Sequence, residues 1–425
     1  MALRRAGIRM KAPTSSKLVA AWLLGAACVN GNSEDWPAWR GPNRNGITSE
    51  TLPETLPQTA SIAWRARVGT GFSGISVADG GVFTMGNAAD RDLVWRLDAR
   101  TGEVVWKHDY ECALDPLYFE GGPCATPTVA GNFVYTLSRK GHVHCLEKET
   151  GAVRWRRDLV RDHTLKLPEW SFAGSVYLVD NLAILNVGGG GAALDRRTGE
   201  TVWFSDPRTA GYATAVPAES AGKEFILLFG ARDLMGIEPG SGRVFWRLPW
   251  ETGREVNAAD PIVEGRRFHL SSSIGSAVYE LGERAAAPPR EIWRNKSLRC
   301  YFNAPVLSGG HLYAIHGTTH RPTELVCLDW ETGETKWKEP GFGSGGLVAT
   351  PQRGILFDKG VLTVFKLTPD AYCSEFSQQV LGGKCWTVPT LANGVVYCRN
   401  AKGDLAAASL RSPVASKVDS RSPRN

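Results

Sequence analysis

His142-Val-His144 is the pair whose spacing comes nearest to chemistry. Two imidazoles two residues apart project from one face of a strand, where they could share a metal ion. The chain repeats internally, however, and Trp95, Ala192 and Val326 align with His144, so packing is the stronger reading. Nine cysteines form the second set. Cys112 and Cys124 flank one loop and are expected to pair as a disulfide in an oxidising compartment. Cys145 and Cys327 align with Ala193 and Gly236, which marks a site for small buried residues. Cys124, Cys300 and Cys385 each precede the first strand of a repeat, so they could face one end of a common channel. No Cys-x-x-Cys spacing supports a redox or metal role for them. Gly188-Gly-Gly-Gly191 lacks the helix and lysine of a phosphate loop and reads as a turn. Asp115, Glu120 and Glu169 are loop carboxylates, and nothing in their spacing brings two of them together. No catalytic, cofactor-binding or metal-binding residue is assigned, and no cofactor is expected.

The elements that must position these residues follow from a repeat. Asp98-Ala-Arg-Thr-Gly-Glu-Val-Val-Trp106 recurs as Asp195 to Trp203 and as Asp329-Trp-Glu-Thr-Gly-Glu-Thr-Lys-Trp337. Relaxed copies run from Glu147 to Trp155 and from Glu238 to Trp246, and a further copy ending at Trp293 has lost its Thr-Gly. These tryptophans follow one another at 43 to 49 residues, and Trp64 precedes Trp106 by 42 without the motif. Such a period means repeated supersecondary units. Phe133-Val-Tyr135 and His142-Val-His-Cys-Leu146 alternate as strands do. Thr-Gly is a turn signal, because glycine accepts positive φ without a steric cost. The acidic residue three places earlier can accept hydrogen bonds from turn amides. The final strand carries a Trp, whose burial gains about 4–6 kcal/mol. One four-stranded sheet cannot cover that ring, but a neighbouring copy can.

The units start near Phe72, Cys124, Phe172, Tyr212, Asn257, Tyr301, Ser344 and Trp386. The seventh lacks the terminal Trp, and Phe376 is expected in its place. The eighth stops at Leu410 without a fourth strand, while Ile62-Ala-Trp64-Arg-Ala-Arg-Val68 is an orphan strand. Setting that N-terminal strand into the last unit closes the ring and removes both edges. The expectation is an all-β, eight-bladed β-propeller, with seven blades as the alternative. Residues 62–410 form the propeller and 28–61 an N-terminal extension. Trp64, Trp106, Trp155, Trp203, Trp246, Trp293 and Trp337 are its structural blade-docking residues.

The motif Asp-x-x-Thr-Gly-x-x-x-Trp resembles the tryptophan-docking motif of quinoprotein dehydrogenases. It also resembles the motif of non-enzymatic outer-membrane assembly lipoproteins that share the propeller. Trp36-Pro-Ala-Trp-Arg-Gly-Pro-Asn-Arg-Asn-Gly46 is similar to the opening of secreted PQQ-like repeat proteins of planctomycete-type bacteria. The resemblance spans Trp36 to Leu410 and implies the fold far more specifically than any chemistry. Dehydrogenases of that kind stack the quinone between a Trp and a disulfide of adjacent cysteines. This chain has no adjacent Cys pair, no Cys-x-x-Cys-His haem site, and no matching set of calcium ligands and catalytic Asp. The reading therefore leans away from an enzyme, toward an exported binding or scaffold module of the cell envelope. A PQQ-dependent dehydrogenase with calcium is one alternative, and a carbohydrate-binding surface protein is another.

Residues 1–27 read as a secretory signal. Arg4, Arg5, Arg9, Lys11 and Lys17 precede an apolar run, Leu18 to Ala27, that is too short to span a bilayer permanently. Met10 is an alternative start, and cleavage is expected between Ala27 and Gly31. Cys28 raises a lipid anchor as a secondary expectation. The destination is the periplasm or the outer membrane. The whole chain has 49 basic and 43 acidic residues. Without residues 1–27, and without the Ser-, Pro- and Arg-rich tail 411–425, expected to be disordered, 40 basic and 42 acidic residues remain. No basic stripe survives, which excludes nucleic acid as a partner. The blade-start segments suit a protein or glycan partner bound by a monomer, because they gather aromatics and amides. The candidates are Phe72, Trp170, Phe172, Tyr212, Asn257, Tyr301, Asn303, Trp386 and Thr387.

Overall fold

The computed structural model describes residues 33–319 and 323–411. The expected signal, Cys28 and nearly all of the tail lie outside them. Eight four-stranded antiparallel sheets are present, and seven are built from consecutive strands. Blade 1 runs through Ser76–Ala78, Gly81–Ala88, Arg91–Asp98 and Val104–Glu111. Blade 8 is composite: Ser61–Arg67 pairs with Asp404–Ser409, beside Val395–Arg399 and Thr390–Ala392. The eight-bladed count and the N-terminal closure are both observed. The described helix is a single short one, Leu159–His163, after the outer strand of blade 2.

Each blade-docking Trp lies on an outer strand, and its indole N–H donates to a carbonyl of the next blade. Trp106 reaches Lys148 at 2.8 Å, Trp155 reaches Arg196 at 3.0 Å and Trp203 reaches Pro239 at 2.7 Å. Trp246, Trp293 and Trp337 reach Ala285, Trp330 and Thr368 in the same way. In the blades that keep the motif, the accepting carbonyl follows its acidic residue, as Lys148 follows Glu147 and Arg196 follows Asp195. That acid does cap the turn: Asp98 Oδ1 accepts from the amides of Arg100 and Thr101. The motif glycine has a second duty beyond its positive φ. A Cβ on Gly151 would stand 2.7 Å from the ring of Trp106. The glycine is flat against the Trp of the preceding blade, so turn and dock are one device.

Cys145 and Cys327 lie opposite Trp155 and Trp337 across their strands, in the small-residue site expected for them. Phe376 occupies the docking position of blade 7, opposite Val364, and is 6% exposed.

Residues 33–50 plug the channel. Trp36 and Val77 exchange backbone hydrogen bonds at 2.8 Å, and Pro37 accepts from Val129. The segment turns at residues 41–46 and returns through Thr48, whose amide donates to Ala349. Glu50 then accepts from the amides of Asn393 and Gly394, fastening the plug to blade 8.

Candidate functional site

Outer strands return to the next inner strand at one end of the propeller. There the blade-start segments surround a funnel of about 700 Å³. The plug closes it from below, because Trp39 forms part of its floor. The funnel is therefore a dead end.

Seven of the nine candidates line it: Phe72, Trp170, Tyr212, Tyr301, Asn303, Trp386 and Thr387. The other two do not. Phe172 is 1% exposed and packs in the core between blades 2 and 3. Asn257 is fully buried, and its amide donates to the carbonyls of Gly230, Ala231 and Trp250, which ties a loop together. Both sit at blade starts, but their side chains turn inward, and a one-dimensional spacing cannot distinguish the two directions.

The rings form a belt. Phe72 stacks on Trp386 with centroids 5.4 Å apart, and Phe302 approaches Trp386 at 5.1 Å. Phe119 meets Phe72 at 5.6 Å, and Trp170 meets Tyr212 at 6.2 Å. Polar groups hold the belt in place. Asn303 donates to the carbonyls of Gly345 and Trp386, and Thr387 donates to the carbonyl of Phe72. The Tyr212 hydroxyl accepts from the amide of Trp170, and burial pushes its pKa up to about 12, so it stays protonated.

Charge is arranged in two tiers. At the rim, Arg254 pairs with Glu169 at 3.0 Å and Lys384 with Glu120 at 2.9 Å. Glu120 and Glu169 thus neutralise neighbouring cations rather than converge on one another, and Asp115 pairs with Lys140. At the floor, Asp260 Oδ2 accepts from the Trp39 indole at 2.6 Å and Oδ1 from the Thr214 amide at 2.8 Å. Burial raises the pKa of this carboxylate to about 6, and Arg40 opposes that rise.

Several lining residues lie outside the nine candidates. Phe302 adjoins a named candidate, while Tyr118 and Phe119 belong to the loop between Cys112 and Cys124. Trp39 was visible as part of Trp36-Pro-Ala-Trp39, yet no repeat register could place the extension inside the channel. Tyr118 lines the funnel and is 78% exposed.

The expected disulfide is not formed: Cys112 and Cys124 are both free. The thiol of Cys112 faces Asp92 and Ser138, and burial pushes it up to about 12. Cys124 faces the carbonyl of Gly122 and the funnel. Of the three blade-start cysteines, Cys124 alone lines the funnel, while Cys300 and Cys385 are buried away from it. His144 is buried against Tyr110, with centroids 4.2 Å apart. Among the described residues, no three His, Cys, Asp or Glu side chains are placed to hold a metal ion.

The profile of the family described as outer membrane protein assembly factor BamB matches residues 90–339. The structure of BamB from Moraxella catarrhalis is similar, with a TM-score of 0.62 at 15% identity, over 84% of this chain and 99% of that one. Quinohemoprotein alcohol dehydrogenase ADHIIG from Pseudomonas putida HK5 gives 0.66 at 13% identity, over 92% and 82%. The quinohemoprotein alcohol dehydrogenase of Comamonas testosteroni gives 0.62 at 12% identity, over 92% and 83%. At these identities the structural likenesses bear on fold alone. No curated protein matches the chain.

Proposed function

We infer the function from one premise: this chain belongs to the family described as outer membrane protein assembly factor BamB. It is an exported, non-catalytic β-propeller of the cell envelope that binds a protein partner at its aromatic funnel. The dead-end funnel carries this reading. It has aromatic walls, a rim of ion pairs, and the exposed ring of Tyr118 beside the half-buried ring of Trp170, which is the anatomy of a protein-binding patch. A sugar is the second reading, favoured by the half-buried Trp170 and Tyr301 rings beside Arg254.

A quinone with calcium does not fit these residues. Cys124 is the one thiol in the funnel, so no stacked disulfide forms there. Arg254 and Lys384 are committed to Glu169 and Glu120 instead of a polyanionic cofactor. The floor carboxylate, Asp260, is occupied by Trp39 and Thr214 and has no second acid beside it to complete a calcium site.

The test is a photocrosslinker at Tyr118 in the native envelope. It should trap one reproducible protein, and Trp386→Ala should weaken that product. Alcohol-dependent dye reduction after reconstitution with PQQ and calcium would sink the reading.

A further inference from the structure

We propose that the group entering the funnel is an apolar carboxylate, a small organic anion whose ring or chain packs on the aromatic walls. The proposal rests on the funnel being a binding site, and not on its partner being a protein.

Buried charge carries the argument. Arg40, Arg139 and Arg399 are 4%, 2% and 0% exposed, and none has a carboxylate within ion-pair distance among the described residues. Backbone carbonyls take their terminal N–H groups instead, and the Nε–H of each is left without a partner. Arg139 donates to Leu114 and Asp115, Arg399 to Gly69, Ser73 and Met85, and Arg40 to Asn45, Ala304 and Pro305. Carbonyl dipoles bind the terminal N–H groups but leave the full charge uncancelled.

These cations stand directly behind lining residues. The guanidinium of Arg139 lies 5.0 Å from the ring centre of Phe119. Arg139 and Arg399 both act on Cys124, and Arg40 and Arg44 both act on Asp260. The opposing acids are fewer. Asp92 acts on Cys124 against two arginines, and Asp260 faces two more. Asp358 is bound by the amides of Gly343 and Gly345 and borders a separate cavity. The rim pairs cancel internally. An aromatic wall backed by guanidiniums that lack carboxylate partners focuses positive potential into the funnel. Its volume suits a guest of drug-like size, and the plug prevents a chain from threading through.

The same rings with Asp260 resemble a cage that holds a cation. The geometry opposes this: both oxygens of Asp260 already accept hydrogen bonds, and Arg40 and Arg44 lie behind them.

The experiment titrates the full-length protein with three probes of one skeleton, 2-naphthoate, 2-naphthamide and 2-naphthylmethylammonium, followed by tryptophan quenching and calorimetry. Naphthoate should bind about tenfold more tightly than the amide, and the ammonium should not bind. Added salt should weaken the naphthoate. Asp260→Asn, which removes the floor's negative charge, should tighten naphthoate several-fold, and Ala173→Trp, which fills the funnel, should abolish binding. If either variant fails to fold, the three-probe order on the unaltered protein decides. Equal or tighter binding of the ammonium or the amide overturns the proposal. So does absence of any probe binding while the envelope partner is still trapped, an outcome that leaves the scaffold reading standing. Retained naphthoate preference without any trapped partner supports the anion site and removes the scaffold reading alone.

Discussion

The indole N–H of Trp64 donates to the carbonyl of Ala99 at 2.9 Å, and Gly102 lies flat on the same ring. Trp64 belongs to the first strand of the chain but to the last blade of the ring, so this dock joins blade 8 to blade 1. Phe376 marks the complementary exception. It docks onto blade 8, whose motif turn is replaced by the two ends of the chain, and it is the one docking ring without an N–H.

The dock between blades 1 and 2 should separate into two parts. Trp106→Phe loses the bond to Lys148 and should cost about 1 kcal/mol, whereas Trp106→Ala should cost about 3–5 kcal/mol. Gly151→Ala strikes the Trp106 ring and strains a residue at φ 72°. Chemical unfolding should show that Gly151→Ala is far milder in a Trp106→Ala background. Additive costs would mean that the two do not touch.

Funnel residues and core residues should part company. Trp386→Ala and Tyr301→Ala should weaken partner capture and leave thermal unfolding nearly unchanged. Phe172→Ala should cost about 3–5 kcal/mol, because its ring is fully packed. Early unfolding of the first two would make them core residues and remove the site.

Acid should destabilise the protein through its buried histidines. His269 is fully buried with both ring nitrogens unpartnered, and burial holds its pKa down to about 3; His144 is held down similarly. Both are neutral when folded and take up a proton when unfolded. Their contribution is complete above about pH 6.5 and is lost as pH falls toward 3. Asp260, raised to about 6, works the other way and gains stability as pH falls from 6 toward 4. Two histidines outweigh it. His269→Leu should raise Tm at pH 5 and flatten the acid limb of the Tm–pH curve. An unchanged limb would show that His269 has a polar partner.

Reduction should be silent. Because Cys112 and Cys124 face different neighbours, dithiothreitol should leave Tm unchanged. A Cys112–Cys124 linked peptide in a non-reducing digest would contradict that arrangement.

The architecture was legible because each blade repeats one local device, from Asp98 to Trp106 and onward, and repetition raises a weak strand signal above ambiguity. Closure was legible from a missing strand and a spare Trp64. The funnel was legible only in part. Tyr301 and Trp386 project into it, while Phe172 and Asn257, at equivalent places, turn inward, because loop conformation rather than period sets their direction. Trp39 and the unpaired arginines stayed hidden for another reason. Their meaning comes from contacts such as Arg40 with Ala304, across residues that no repeat relates.

The composite blade also fixes an order of events during synthesis. Ser61 finds its partner in Ser409, at the far end of the sequence. Until residues 404–409 arrive, the strand of Trp64 has bare backbone on offer and no native partner. Ring completion is thus a final, slow step of high contact order. A chain truncated before residue 404 would keep that exposed strand permanently, and it would be prone to pair with other copies of itself.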